Sequence, residues 1–380
     1  MKNLYKLTLV GLIALIIGSI GVFTLTGCKK GPDVYKIGAI VFLTGPQASL
    51  GAEVKNALTV ASDEINEKGG IKGKKLEILY QDSKDSPKDA IMAFNKLTME
   101  KLPVMISTGD VVSLNLAPSA DEKKIPIVAT VAAGPDIPKK SDWVFRVFIQ
   151  VDRQARTMAD YAHKELGLKS VAVLYINNEY GVAAYTIFKD NFEKLGGRVT
   201  NSETYGIMDR NIRSQITKLK GGNPEAIYVA GFGEGYGACI KQIRELKFNG
   251  LILSDNTLSI PYFQQQTTPA NEGAYFTSTL YDEKSEVPLA ANFIKKYREK
   301  FGSDPGFIGA FAYDALRLIA TAIEKGGYSS KGIRKTLLSI KNYEGIVGKI
   351  SFTEDRDLEF PLVVKKIEKG KANIVSKEYY

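Results

Sequence analysis

Between Ile37 and Asp82 the chain reads strand, loop, helix, loop, strand, and that order restricts its possible folds more than any other stretch. IGAIVFLTG is a short apolar run that stops at Gly45-Pro46, a pair that ends a strand and turns the backbone. Leu50, Val54, Ala57, Leu58, Ala61 and Ile65 then recur at helical spacing, which predicts a helix from near Ser49. Gly69-Gly70 marks its end, because glycine takes the left-handed conformation of a helix C-terminus without a Cβ clash. KKLEILYQD is the second strand. A strand–helix–strand unit joins parallel strands and lays helices on the sheet. Ligands of such sheets bind beyond the carboxyl ends of the strands, so the loop from Thr44 to Ser49 is the first candidate binding loop.

The alternation continues. Pro87 to Lys101 reads as a helix, PVMIST as a strand, Val112 to Lys124 as a helix and IPIVAT as a strand. WVFRVFIQ is extended and leads to Asp152, the expected N-cap of a helix from Arg153 to Glu165. The pattern then restarts with SVAVLYIN, a helix from Tyr180 to Leu195, RVTNSETY, a helix from Asn211 to Lys220, AIYVAG, a helix from Tyr236 to Leu246, and LILSD. GAYFTSTLY is extended, three helices follow over 289–301, 308–325 and 331–340, and the tail alternates like antiparallel strands around EKGKA. Two such runs in 380 residues predict an α/β protein of two doubly wound, Rossmann-like lobes with a ligand cleft between them.

Charge narrows the partners. The net charge is +9, but Lys and Arg are interleaved with Glu and Asp (KDSPKD, FKDNFEKLGGR), with no basic block, so no nucleic-acid partner is expected. The two cysteines, Cys28 and Cys239, and the single His163 form no cluster with metal-ligand spacing, so no metal site is expected. Cys239 lies in the helical stretch GYGACIKQIREL and reads as a small apolar packing residue. His163, near a helix end, reads as solvated or locally bonded.

At the N-terminus Lys2 and Lys6 precede an apolar run from Leu7 to Leu25, long enough for a membrane span. Leu25-Thr26-Gly27-Cys28 at its end resembles a bacterial lipobox. The resemblance implies that residues 1–27 are a lipoprotein signal peptide, that Cys28 becomes the lipidated first residue, and that residues 28–33 tether the body outside the cytoplasmic membrane.

Few motifs suggest catalysis. Gly233, Gly235 and Ala238 fit the Gly-x-Gly-x-x-Ala dinucleotide fingerprint, after a strand and opening a helix, with Asp255 about 20 residues on. The motif lies in the second half of the chain, however, and the run Gly231, Gly233, Gly235, Gly237 equally suits a loop hugging a cleft; an NAD-dependent oxidoreductase is therefore the remotest alternative. There is no P-loop and no nucleophile elbow, and Asp82/Asp85 and Asp355/Asp357 sit in turn-like sequence and read as solvated. No acid–base pair assembles, so no catalytic residue, no cofactor and no enzyme is expected. The loops after the strands instead supply Gln47, Ser49, Thr108, Asp110, Ala132, Ala133, Tyr180, Phe232, Glu234, Asp255 and Asn256. Hydrogen-bonding groups, aromatics and helix N-termini with free N–H groups suit a small anionic or zwitterionic ligand.

IGAIVFLTGPQASLG, EINEKGGIKGKKLEILYQDSKDSPKDA, Phe145-Arg146 followed by Asp152, VAVLYINNEYG, GAYFTSTLY, AYDALRLIATAIEKGG and GKISFTEDRDL together resemble the branched-chain amino acid-binding proteins, the type I extracytoplasmic solute-binding proteins of ABC importers. The resemblance implies the type I periplasmic binding protein fold, with lobe 1 from 34–148 and 280–358, lobe 2 from 149–279 and 359–380, a three-segment hinge and closure around a solute. It implies an ABC permease as partner, or a receptor if the same fold serves as a ligand sensor. It carries ligand-binding roles to Tyr180 and Phe232; a carboxylate-binding Ser falls near Asp110 or Val111, a Thr with the same role on Gly134, an ammonium-binding acid near Asn256 with Asp255 beside it, and a first-loop aromatic on Leu50. An Asp beside a ligand carboxylate repels it by about 4 kcal/mol at an effective dielectric near 20. The solute implied is thus an amino acid or another small polar molecule, such as an amide or an aromatic acid.

Overall fold

The computed structural model describes residues 34–45, 47–285 and 287–379. The expectations for the signal segment, for Cys28 and for the tether lie outside these residues. Among the described residues no helix is long and apolar enough to cross a membrane.

The first half alternates as far as β4 and then adds a fifth strand: β1 (Val34–Val41), α1 (Ala48–Glu67), β2 (Lys75–Asp82), α2 (Pro87–Met99), β3 (Met105–Thr108), α3 (Asp110–Lys123), β4 (Ile127–Thr130) and β5 (Val144–Arg146). Their sheet has the order β2-β1-β3-β4-β5, and the β1–β3, β3–β4 and β4–β5 pairings are parallel. The chain then builds α4 (Val151–Lys164), β6 (Ser170–Ile176), α5 (Glu179–Lys194), β7 (Arg198–Tyr205), α6 (Arg213–Gly221), β8 (Ala226–Ala230), α7 (Glu234–Glu245), β9 (Leu251–Ser254), α8 (Pro261–Thr267) and β10 (Tyr275–Thr279). It returns to the first sheet with α9 (Pro288–Phe301), α10 (Phe307–Gly326), α11 (Ser330–Leu338) and the strands β11 (Tyr343–Gly345), β12 (Gly348–Phe352) and β13 (Leu358–Glu359), which form a small antiparallel sheet. The hairpin of β14 (Leu362–Glu368) and β15 (Lys371–Ile374) completes the second sheet, whose order is β15-β14-β10-β9-β8-β6-β7.

The two sheets share one plan. In the first, β1 lies between β2 and β3; in the second, β6 lies between β7 and β8. At β1 and β6 the winding direction reverses, and the crevice at such a switch point is where open α/β sheets bind ligands. Each sheet has its own core. Val54, Leu58, Phe145, Phe293, Phe311 and Leu316 are fully buried in one, and Phe188, Phe192, Tyr228, Ile240 and Phe276 in the other. The type of nearly every element follows from its local pattern. Leu58, Ala61 and Val54 of α1 are buried at the expected helical spacing, and β4 and β8 are buried along their whole length, as strands covered on both faces must be.

Among the boundaries that differ from the sequence reading, three move a polar residue that matters to the loops. The helices expected from Val112 and Tyr236 begin two residues earlier, at Asp110 and Glu234. Gly109 (φ 93°) and Gly233 (φ 85°) make the strand-to-helix turn so tight that the helix starts at the very next residue. Asp152 is not the N-cap: Gln150 (φ −91°, ψ 141°) holds that place without a side-chain cap, and Asp152 sits in the first turn, where its charge favours the helix dipole. The helix Pro261–Thr267 was not anticipated.

Candidate functional site

The strand ends of the first sheet form one set of side chains. Asp82, at the end of β2, accepts the N–H of Leu43 (3.0 Å) and of Lys84 (2.9 Å) on Oδ1 and the Thr44 hydroxyl (2.5 Å) on Oδ2. Burial alone would raise this carboxyl, but the Thr44 hydroxyl and the three N–H groups outweigh it and hold it below the usual range. The β1 loop is thereby pinned to the β2 loop. Next to it the Gln47 amide donates to Asp85, whose carboxyl is raised by burial against that bond. Asp85 was read as solvated; it is half-buried and held.

Asp110 opens α3. Its Oδ1 accepts the Gly134 N–H at 3.0 Å. Burial pushes its carboxyl up to about 6, opposed by the Gly134 N–H, the Arg146 guanidinium and the Ala133 N–H, and reinforced by the charge of Asp85. Ala132 is fully buried, Ala133 half-buried, and the Ala133 carbonyl accepts the Val151 N–H at 3.0 Å, which ties this turn to the start of α4. Thr108 is buried, with its hydroxyl 3.4 Å from that of Thr130. Ser49 is exposed on the first turn of α1.

Behind this wall lies an ion pair that sequence reasoning missed. Arg146, 1% exposed, donates to Asp357 through Nε (2.5 Å) and Nη2 (2.8 Å), and through Nη1 to the Gly134 carbonyl. Asp357, read as a solvated turn residue, is the partner that makes this burial possible. They stand 211 positions apart, and no local signal connects the two.

The second sheet gathers the other set. Asp255 follows β9 and is 0% exposed. Its Oδ2 accepts the Tyr180 hydroxyl (2.9 Å) and the Gly231 N–H (2.7 Å), and its Oδ1 the Thr257 N–H (3.0 Å). One carboxylate thus binds together the loops after β6, β8 and β9. Burial raises it to about 6 against those bonds, and burial followed by the Asp255 charge keeps the Tyr180 phenol well above its ordinary value. The Phe232 ring meets Tyr180 edge-on at 5.8 Å, and Glu234 accepts the Tyr262 hydroxyl at 3.3 Å. The glycines of the fingerprint-like run answer to neighbours rather than to a phosphate. A Cβ on Gly231 would lie 2.3 Å from the Tyr205 hydroxyl, one on Gly235 2.4 Å from the Gly206 carbonyl, and one on Gly237 2.0 Å from the Gln266 side chain.

The two sets meet where the chain passes between sheets, after β5, after β10 and after β13. Gln154 Oε1 accepts both the Asn256 N–H (2.9 Å) and the Thr277 hydroxyl (3.1 Å). Gln150 donates to the Leu358 carbonyl (2.6 Å), and Arg153 to the Phe360 carbonyl (2.6 Å). Gln150 Oε1 and Gln154 Nε2 remain buried without a protein partner, a pattern that ordered water or a polar ligand normally satisfies. The structure therefore groups Gln47, Asp110, Ala132 and Ala133 at the strand ends of the first sheet, and Tyr180, Phe232, Glu234 and Asp255 at those of the second. Asn256 is bonded through its N–H to Gln154 of α4 and lies with the second set. Among the described residues no hydrogen bond joins the two walls directly.

Known proteins share this architecture. The chain is 28% identical over 331 residues to Leu/Ile/Val-binding protein homolog 3 of Brucella melitensis, an alignment covering 86% of this chain and 89% of that protein. The crystal structure of a leucine-binding protein, LivK, from Thermotoga maritima superposes with a TM-score of 0.81 at 28% identity, over 90% of this chain and 98% of that one. The branched-chain amino acid transporter substrate-binding protein LivJ of Streptococcus pneumoniae, solved with isoleucine, gives a TM-score of 0.81 at 26% identity, over 90% and 99%. These are two-lobed type I periplasmic binding folds, and the expected fold class is the observed one. The family model described as "Periplasmic binding protein" matches residues 34–372, and with the shared sheet order and the walls around two switch points this establishes that the chain belongs to the periplasmic binding protein family.

Proposed function

We propose that this protein is the lipid-anchored solute-binding component of an ABC importer, which traps a small polar solute between its lobes and presents it to a membrane permease without changing it chemically. The observation that carries this reading is that two sheets share one winding order, each with hydrogen-bonding loops at its strand ends, and that Gln150 and Arg153 at the start of α4 bond the returning chain at Leu358 and Phe360. In the proposed mechanism residues 34–148 with 280–358 move against 149–279 with 359–380, and the three crossings are the hinge. Lipid on Cys28 holds the body at the membrane, each buried CH₂ contributing about 0.8 kcal/mol. The relatives named for leucine, isoleucine and valine support an amino acid or a molecule of similar size as the solute.

The test is a thermal-shift screen of the protein after unfolding and refolding to strip carried-over ligand. The panel holds branched-chain and aromatic amino acids, amides, small carboxylates, amines, purines and NAD. A solute at 100 times its Kd adds about 2.7 kcal/mol to stability, a clear rise in Tm. A shift with one class of small solute is the expected result. A response to NAD alone would replace this reading with a dinucleotide enzyme, and no response to any compound would remove its basis.

A further inference from the structure

We infer that Asp110 is the specificity-determining residue of the first wall: its carboxylate occupies the donors of the 133–134 turn, so the cleft accepts a solute presenting a cationic nitrogen there, an amine or an amidine, and rejects one presenting a carboxylate. This inference rests on the cleft reading above and names the class of solute for it.

The backbone leaves Asp110 little choice of position. Gly109 turns the chain at φ 93°, with the Phe42 ring lying 2.2 Å from where a Cβ would be, and Asp110 follows as the first helical residue. From there Oδ1 reaches the Gly134 N–H at 3.0 Å. Gly134 in turn leaves the carboxylate room, because even a Cβ there would stand 3.4 Å from Asp110 Cγ. Backbone N–H groups beside a helix N-terminus ordinarily attract an anionic ligand. Here an anion is already in place, and it belongs to the protein.

The surroundings offset its charge only in part, through the Arg146 guanidinium. Arg146 is buried behind the turn, with its donors directed to Asp357 and the Gly134 carbonyl. Lys84, on the neighbouring loop, pairs with Asp89 at 3.4 Å. A second acid, Asp85, held by Gln47, works against that offset and adds to the negative charge around Asp110. An ionised carboxylate has about four acceptor positions, and Asp110 is only half-buried, so acceptor capacity remains for N–H donors of a solute. A carboxylate brought to the same place meets like charge, which at close range in a partly buried site weakens binding by at least about 100-fold.

Two matched pairs of probes test this: leucine against leucinamide, and benzoate against benzamidine. Each is titrated calorimetrically into the refolded full chain, into Asp110→Ser and into the isosteric Asp110→Asn, with the fold of each variant checked by thermal melting. In the unaltered protein the cationic member of at least one pair is expected to bind about 100-fold more tightly than its carboxylate, and both substitutions should abolish that preference. A carboxylate that binds the unaltered protein as tightly as its cationic partner overturns the inference while leaving the solute-binding reading intact. A preference for the cation that survives in both variants also overturns it, since another residue must then supply the selectivity. If neither pair binds any of the three proteins the inference falls, and the broader thermal-shift panel decides separately whether the cleft reading stands.

Discussion

Asp110 and Asp255 are a natural experiment in what a buried carboxylate is for. Both stand at strand ends beside a switch point, both are raised by burial to about 6, and both accept the N–H of a glycine. Their saturation differs. Asp255 is sealed and shared among a phenol and two N–H groups from three loops. Asp110 is half-buried and takes the Gly134 N–H, with the Ala133 N–H also acting on it, both from a single turn. The second-lobe acid therefore organises its wall, whereas the first-lobe acid is part of the wall's surface.

Substitutions can break that contrast, and the largest effect should come from behind the first wall. Asp357→Ala strands the Arg146 guanidinium in a buried site, and a loss of about 3–5 kcal/mol is expected in chemical denaturation. Arg146→Met should cost less, since Asp357 is 20% exposed and water can reach it.

Gly109→Ala comes next. It combines backbone strain at φ 93° with a clash against Phe42, and about 2–4 kcal/mol should be lost in the same assay.

Asp255→Asn tests the second wall. The amide has a single acceptor oxygen, so it cannot serve both the Tyr180 hydroxyl and Gly231 N–H at the position of Oδ2 and the Thr257 N–H at that of Oδ1, and stability should fall by about 2 kcal/mol. Asp110→Asn, which keeps an acceptor for Gly134, should fall by clearly less. Equal losses at the two positions would erase the distinction between an organising and a presenting acid.

A further effect is one of pH. The folded-state carboxyl of Asp110 lies near 6 against an ordinary 3.8, so the folded chain binds this proton more tightly than the unfolded chain does. Its contribution is present below the unfolded value and is lost as pH rises through about 6. The stability of Asp110→Asn relative to the unaltered protein should therefore grow between pH 4 and pH 6 and then level off. Urea titrations across that range measure it, and a flat difference would show that burial does not perturb this group.

Much of the fold was legible because its signals are local. The spacing of Val54, Leu58 and Ala61 depends only on the helix that contains them, and the buried run of β8 only on its own strand. The loops that form the two walls could be read as strand ends for the same reason. What the sequence hid is whatever depends on register or on distant partners. That Asp255 faces Tyr180 and Gly231 follows from how β6, β8 and β9 lie side by side. That Asp357 serves Arg146 follows from the return of the chain to the first sheet 211 residues later. The start of α3 at Asp110 was missed for a subtler reason: a positive φ at Gly109 lets a helix begin where sequence pattern suggests a loop.

The central claim is that the two walls close on a small solute, and a distance between them tests it most directly. Val111, beside Asp110, and Val182, near Tyr180, are 41% and 49% exposed and mark the two walls. Spin labels on Val111→Cys and Val182→Cys, in a Cys28→Ser background with Cys239 buried and unreactive, report the separation by double electron–electron resonance. With the most stabilising compound of the thermal-shift panel added, the distance distribution should move to a shorter and narrower maximum. An unchanged distribution under saturating compound would contradict closure, and with it the account of this protein as a solute trap.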